Sequence, residues 1–168
     1  MASRDFDAER LLATLHECGV RFVLIGGMAA IMHGDVGVTL DVDIVPDPSL
    51  RNLDALAAAL RALDARIRTE GEHEGLPFDV SGKLLANLTP DGISSLTSNA
   101  TDLDLTFRPS GTAGYGDPKR DAIEIATDDG ETIRIWVSSP ADIIRSKEAA
   151  GREKDRNALR RLLENTSR

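Results

Sequence analysis

The stretch that most limits how this chain can fold runs from residue 22 to residue 45. Phe22-Val23-Leu24-Ile25 is an apolar run too short for a helix, and it stops at the pair Gly26-Gly27. A second run, Thr39-Leu40-Asp41-Val42-Asp43-Ile44-Val45, then sets carboxylates and apolar residues in alternation. A period of two describes a strand with one buried face. Asp41 and Asp43 therefore stand side by side, opposite Val42 and Ile44. The order is strand, glycine turn, short helix to about His33, and second strand. Carboxylates at this spacing suit Mg²⁺, which is commonly held by one or two protein carboxylates and the phosphates of a substrate. A glycine turn opening a helix offers N–H groups to those phosphates. The pattern points to a nucleoside triphosphate site.

The rest of the chain supplies a sheet and its cover. Phe6, Leu11, Leu12 and Leu15 predict a helix over 5–18 that Gly19 ends. Pro46 and Pro48 stop the second strand, and Ser49 stands as a cap for a helix carrying Leu53, Leu56, Leu60 and Leu63. Residues 65–69 read as a further strand around Ile67. Residues 70–99, with scattered glycines and two prolines, read as a loop with one or two short elements. Strict alternation returns over 100–107, with Leu103, Leu105 and Phe107 on one face and Asp102, Asp104 and Thr106 on the other. Residues 110–116 read as a loop. Two alternating runs, 122–127 and 131–137, flank Asp128-Asp129-Gly130 and predict a hairpin. Ser138-Ser139-Pro140 opens a helix with Asp142 as favourable early charge. Helical material continues to about Glu164, with Gly151 as a break.

These elements predict one α/β domain over 1–168. Residues 1–137 form a sheet-containing core, a mixed twisted sheet with helices mainly on one face, and 138–168 form a C-terminal helical portion. A net charge of −8 argues against a uniformly basic nucleic-acid coat. Yet 139–168 carries eight Lys or Arg against five Asp or Glu, which leaves the remainder at −11. A local basic face is compatible with that distribution, as is a solvated helix with ion pairs. No apolar run approaches the ~20 residues of a membrane helix. The first ten residues, charged from Arg4, lack an apolar leader and predict a cytoplasmic protein. Cys18 is the single cysteine, which leaves no internal disulfide and no cysteine partner for zinc.

Gly26-Gly27-x-Ala29-x-x-x-x-Gly34 followed by Thr39-x-Asp41-Val42-Asp43-Ile44 resembles the signature of minimal nucleotidyltransferases of the DNA polymerase β-like superfamily. The tail from Val137-Ser138-Ser139-Pro140 through Lys147 to Arg156 is similar to the helix after the sheet in AbiEii/MenT-type nucleotidyltransferase toxins of toxin–antitoxin systems. The resemblance covers roughly 22–45, 103–107 and 137–163. It implies a nucleotidyltransferase fold and a Mg²⁺-dependent enzyme, with Mn²⁺ as a substitute metal, in which a hydroxyl attacks the α-phosphorus of an NTP and pyrophosphate leaves. Asp41 and Asp43 are then metal ligands. Asp104 best matches the third carboxylate, as ligand or general base, and Asp102 competes with it because both share a face. Gly26, Gly27 and Thr39 fall to nucleotide binding.

In the same family the lysine matching Lys147 points into the site to neutralise phosphate charge. Arg152 and Asp155 fall there too, or form a structural ion pair, since Asp155 lies about 80° round an unbroken helix from Lys147. His33 reads as a satisfied helix-end histidine. One departure stands out: relatives often carry Arg-x-Thr-x-Asp, whereas this chain has Gly37 two residues before Thr39. Either another basic residue meets the phosphates or nucleotide binding is weakened. Phosphorylation of Thr39 would place about two negative charges beside the metal ligands and act as an inhibitory switch.

Three functions compete. The first is a toxin that transfers a nucleoside monophosphate to RNA, with the tRNA 3′ end as the favoured acceptor, blocking translation, and with an antitoxin protein as partner. The second is a small-molecule enzyme resembling lincosamide- or aminoglycoside-modifying nucleotidyltransferases. The third is a non-catalytic nucleotide-binding relative, against which intact Asp41, Asp43 and Asp104 argue.

Overall fold

The computed structural model describes residues 6–88, 93–118, 120–127 and 129–167. The charged start at 1–5 and the hairpin-tip residue Asp128 lie outside the described residues. Among those described, no helix is long and apolar enough to cross a membrane.

Helix α1 (Ala8–Glu17) starts where the Asp7 side chain accepts from the Arg10 N–H, and it buries Leu11, Leu12 and Leu15. Phe6, expected in that apolar stripe, is instead exposed, because the helix begins after it. Strand β1 (Phe22–Ile25) leads directly into α2 (Gly26–Met32), and β2 (Asp41–Pro46) returns antiparallel to β1. Leu40 precedes the strand and is exposed. Helix α3 (Leu50–Ala62) follows, but Ser49 makes no side-chain cap bond to it. The Ser49 hydroxyl accepts from Arg21 Nη2 instead. Buried Asn52 joins α3 to the foot of β1 by accepting from the Arg21 N–H at 2.7 Å and donating to the Arg21 and Asp47 carbonyls.

The region expected to be mostly loop is richer than its sequence suggests. After β3 (Arg66–Thr69) come β4 (Glu72–Leu76), α4 (Gly82–Asn87) and β5 (Ile93–Thr97). Then β6 (Asp102–Thr106) runs parallel to β2. The hairpin of β7 (Arg120–Ala126) and β8 (Thr132–Ser138) docks through β8 parallel to β1. Among the described residues eight strands form one mixed sheet in the order β4-β3-β5-β6-β2-β1-β8-β7. Leu24, Val42, Ile44, Leu103, Leu105, Ile135 and Val137 form its apolar face and join the leucines of α1 and α3 in the core. Alternation in the central strands is thus read out as one dry face and one carboxylate-bearing face.

The chain ends in α5 (Pro140–Ala150) and α6 (Glu153–Thr166). The Ser139 hydroxyl caps α5 by accepting from the Asp142 N–H, with proline in the first turn as expected. Gly151 closes α5 in the left-handed region at φ +63°, its N–H donating to the Lys147 carbonyl at 3.0 Å. The reversal there folds α6 back on α5.

Candidate active site

The register of three strands assembles the acidic face. Ile25, the last residue of β1, pairs with Asp43. In the parallel β2–β6 pair, Asp41 lies opposite Asp102 and Asp43 opposite Asp104. Above this face lies a cleft of about 520 Å³, walled by α2, α5, α6 and the segments before β2 and after β6. Its volume falls within the roughly 300–1,000 Å³ of small-molecule and cofactor sites. Asp41, Asp43 and Asp104 line it, together with Gly26, Gly27, Thr39, Lys147, Arg152 and Asp155. These nine site candidates from the sequence therefore meet in one cavity, and Asp102, the alternative third carboxylate, does not join them.

Gly26 is constrained twice. Its φ of +69° favours glycine, and a Cβ there would stand 2.5 Å from Oδ2 of Asp43. The turn and the second carboxylate consequently fit against each other. A Cβ on Gly27 would lie 3.0 Å from the Thr39 hydroxyl oxygen. That hydroxyl donates to the Asp41 carbonyl at 3.0 Å and approaches its Oδ1 at 3.3 Å. Thr39 thus braces the strand entry beside Asp41.

The two inner carboxylates differ in environment from ordinary surface aspartates. Burial, followed by repulsion from Asp41 and Asp104, pushes Asp43 from 3.8 up to about 7, while Lys154 and Arg152 pull the other way. Asp104 is also raised, first by burial and then by Asp41 and Asp102, against a Ser95 hydrogen bond and the charge of Arg68. Arg68 on β3 holds Asp104 Oδ1 through Nη2 at 2.8 Å and Asp102 Oδ2 through Nη1 at 2.9 Å. Of these two carboxylates, Asp104 lines the cleft and Asp102 does not.

On the opposite wall the αL turn at Gly151 brings Asp155 to Lys147, a meeting that an unbroken helix forbids. Asp155 is almost fully buried, with Oδ2 2.7 Å from Arg152 Nε and Oδ1 3.4 Å from Lys147 Nζ. Burial alone would raise its pKa, but the Arg152 hydrogen bond and the charges of Arg152 and Lys147 outweigh burial and lower it. Asp155 thus forms the ion pair with Arg152 and also reaches Lys147 across the turn. His33 lies as expected at a helix end, its Nε2 2.8 Å from the Ser138 carbonyl oxygen, which ties α2 to the end of β8.

Sequence reasoning missed Arg68, Lys154, Arg161 and Asp35. Lys154, Arg161 and Asp35 line the cleft, whereas Arg68 grips Asp104 from β3. Arg68 was signalled only by its alternation with Ile67, because its meeting with Asp104 depends on the β3–β5–β6 register. Ile67 pairs with Leu96, and Ser95 pairs with Asp104.

Among the described residues, no group of three His, Cys, Asp or Glu side chains is arranged to cage a metal unaided. Mg²⁺ retains waters and takes oxygens from substrate phosphate, so a pair of carboxylates meets its requirement. Asp41 and Asp43 fit it: their oxygens are hard donors, and a cation would offset the unfavourable ionisation that burial and repulsion impose on Asp43.

No family model and no curated protein matches the sequence. Solved structures do match. The chain superposes on the antibiotic-resistance factor ANT(2'')-Ia in solution with a TM-score of 0.54 at 17% identity, covering 95% of this chain and 82% of that one. The lincosamide antibiotic adenylyltransferase LnuA, bound to lincomycin, gives a TM-score of 0.53 at 14% identity, covering 91% and 92% respectively. The fold is a nucleotidyltransferase fold. A second structure of ANT(2'')-Ia, in complex with adenylyl-2"-tobramycin, agrees at a TM-score of 0.54 and 17% identity over 95% of this chain and 87% of that one.

Proposed function

We propose that this protein is a Mg²⁺-dependent nucleotidyltransferase that moves a nucleoside monophosphate from an NTP to a hydroxyl acceptor. The observation that carries this reading is the register Asp41↔Asp102 and Asp43↔Asp104, which sets Asp43 and Asp104 side by side at the floor of a nucleotide-sized cleft. In the reaction a bond forms between the acceptor oxygen and the α-phosphorus, the α–β phosphoanhydride bond breaks, and pyrophosphate leaves. Mg²⁺ held by Asp41 and Asp43 would supply charge neutralisation at the triphosphate. Asp104 takes the acceptor proton; its raised pKa suits a base, and Arg68 fixes its orientation. Lys147, held by Asp155, meets the triphosphate from the opposite wall.

For the acceptor we favour RNA, namely a tRNA 3′ end, with an antitoxin protein as regulator, as the resemblance of the tail implies. Exposed Arg156 and Arg160, one turn apart on the outer side of α6 away from its cleft-lining residues and next to Glu153 and Glu164, form a basic edge that supports a phosphate-bearing acceptor. A second reading, nucleotidyl transfer to a cationic antibiotic, is favoured by the fold shared with ANT(2'')-Ia and LnuA and by the acidic floor.

Purified protein incubated with total RNA, Mg²⁺ and each α-labelled NTP, beside an Asp41→Ala control, separates these readings. Label in a tRNA-sized band that the control lacks is the expected result. Pyrophosphate released only on adding aminoglycosides or lincosamides would transfer the assignment to the second reading. No pyrophosphate under either condition would rule out both.

A further inference from the structure

The segment that enters β2 closes one side of the cleft, and a distant helix completes it. Asp35 is buried, its side chain 4% exposed, and it receives Arg161 of α6 in a two-point contact: Nε to Oδ1 at 2.9 Å and Nη2 to Oδ2 at 3.3 Å. The guanidinium lies directly against Gly37. A Cβ at that position would stand 2.6 Å from Nη2 of Arg161 and 2.8 Å from Oδ2 of Asp35. Gly37 has no left-handed backbone to explain it, so what its missing side chain provides is room for this guanidinium and carboxylate. A side chain at 37 and Arg161 in its present place exclude one another. Asp35, Gly37 and Arg161 all line the cleft that holds Asp43 and Lys147.

We infer that Arg161 is the cation that meets the triphosphate on this side of the cleft, filling the space that a basic side chain at position 37 would take. The inference rests on the nucleotidyl-transfer reading above and names a phosphate-binding residue that the signature itself lacks. Arginine presents five N–H donors in a planar fork. Asp35 uses Nε and Nη2, and no hydrogen bond from Nη1 to another described residue competes with a phosphate oxygen. Because the buried carboxylate already fixes the plane of the guanidinium, phosphate binding orders little more of the side chain. The departure at Gly37 then relocates the basic group from the strand entry to α6 without abolishing it.

The competing meaning of the pair is a staple between α6 and the segment before β2, and binding data separate the two. The probes are the α,β-methylene analogues of the four nucleoside triphosphates with Mg²⁺, and the matching monophosphates. Both would be titrated calorimetrically into wild type, Arg161→Gln, Arg161→Lys and the double variant Gly37→Arg with Arg161→Gln, with melting temperatures in parallel. Loss of one charge-assisted contact predicts that Arg161→Gln weakens triphosphate binding about tenfold or more. Monophosphate binding should change much less. Arg161→Lys should retain part of the triphosphate preference, and the double variant, which delivers its guanidinium from position 37, should recover most of it. Unchanged triphosphate affinity in Arg161→Gln overturns the inference. So does an equal loss for both probes accompanied by a lower melting temperature, which is the signature of a staple. A wild type that binds no triphosphate would overturn the nucleotide reading itself.

Discussion

Asp43 sits where burial and two neighbouring carboxylates oppose its charge, and folding carries that cost. Its pKa of about 7 in the folded protein lies above the ordinary 3.8, so between those values the folded state retains a proton that the unfolded chain has lost. The stability contributed by this group is present at low pH and disappears as the pH rises through about 7. Asp104, also raised, adds in the same direction. At 1.36 kcal/mol per unit, the ionised Asp43 costs up to about 4 kcal/mol at pH 8. Asp43→Asn should therefore melt higher than wild type at pH 8 without metal, by a margin that shrinks at pH 5, while transfer activity disappears. Added Mg²⁺ should raise the wild-type melting temperature at pH 8 and leave Asp43→Asn nearly unmoved. Thermal melts at both pH values with and without Mg²⁺ check this; a variant less stable than wild type at pH 8 would contradict the burial account. A carboxylate whose charge destabilises its own fold is the usual relation between a site and stability.

At the scale of elements, what could be read from sequence was whatever depends on local alternation. β2 and β6 announced themselves because Asp-Val-Asp-Ile and Asp-Leu-Asp-Leu each separate a dry face from a wet one, and the hairpin of β7 and β8 did so for the same reason. β4 and β5 did not. The β5 sequence Ile93-Ser94-Ser95-Leu96-Thr97 is mostly polar, and it is a strand because β3 and β6 bond it from both sides. Such support is non-local, and the same register conceals Arg68. Gly151 was legible as a break, but its consequence required the direction of the turn. A Cβ at Gly151 meets only the Glu148 carbonyl oxygen, at 3.9 Å, so the cost of Gly151→Ala is conformational and not steric. It should amount to about 1–2 kcal/mol in urea denaturation. The Michaelis constant for NTP should rise as well, because relaxing the turn separates Asp155 from Lys147. Asn, which tolerates the left-handed region better, should recover much of both. An alanine variant with altered stability but an unchanged constant would show that the turn does not position Lys147.

Charge is distributed over the whole molecule so that one wall of the cleft is acidic and the other basic. The sheet contributes Asp41, Asp43 and Asp104, whereas the two C-terminal helices with the turn between them contribute Lys147, Arg152, Lys154 and Arg161 against Asp142 and Asp155, an excess of positive charge. This polarity fits a metal on one side and a polyanion on the other, and it leaves Arg156 and Arg160 exposed beyond the cleft. If the acceptor is RNA, those two arginines track its backbone and take no part in holding the NTP. Arg156→Ala with Arg160→Ala should then weaken RNA binding. It should also reduce the slope of log affinity against log salt by about 1.4, since each neutralised phosphate on a single strand contributes about 0.7. The NTP constant should stay within about twofold. A small cationic acceptor predicts the reverse, because removing positive charge near an acidic cleft leaves its binding unchanged or strengthens it. Filter-binding titrations across a salt series, run beside NTP kinetics on the same protein, distinguish these outcomes. An unchanged slope would remove the basic edge of α6 as support for a nucleic-acid acceptor and return the choice of acceptor to the acidic face.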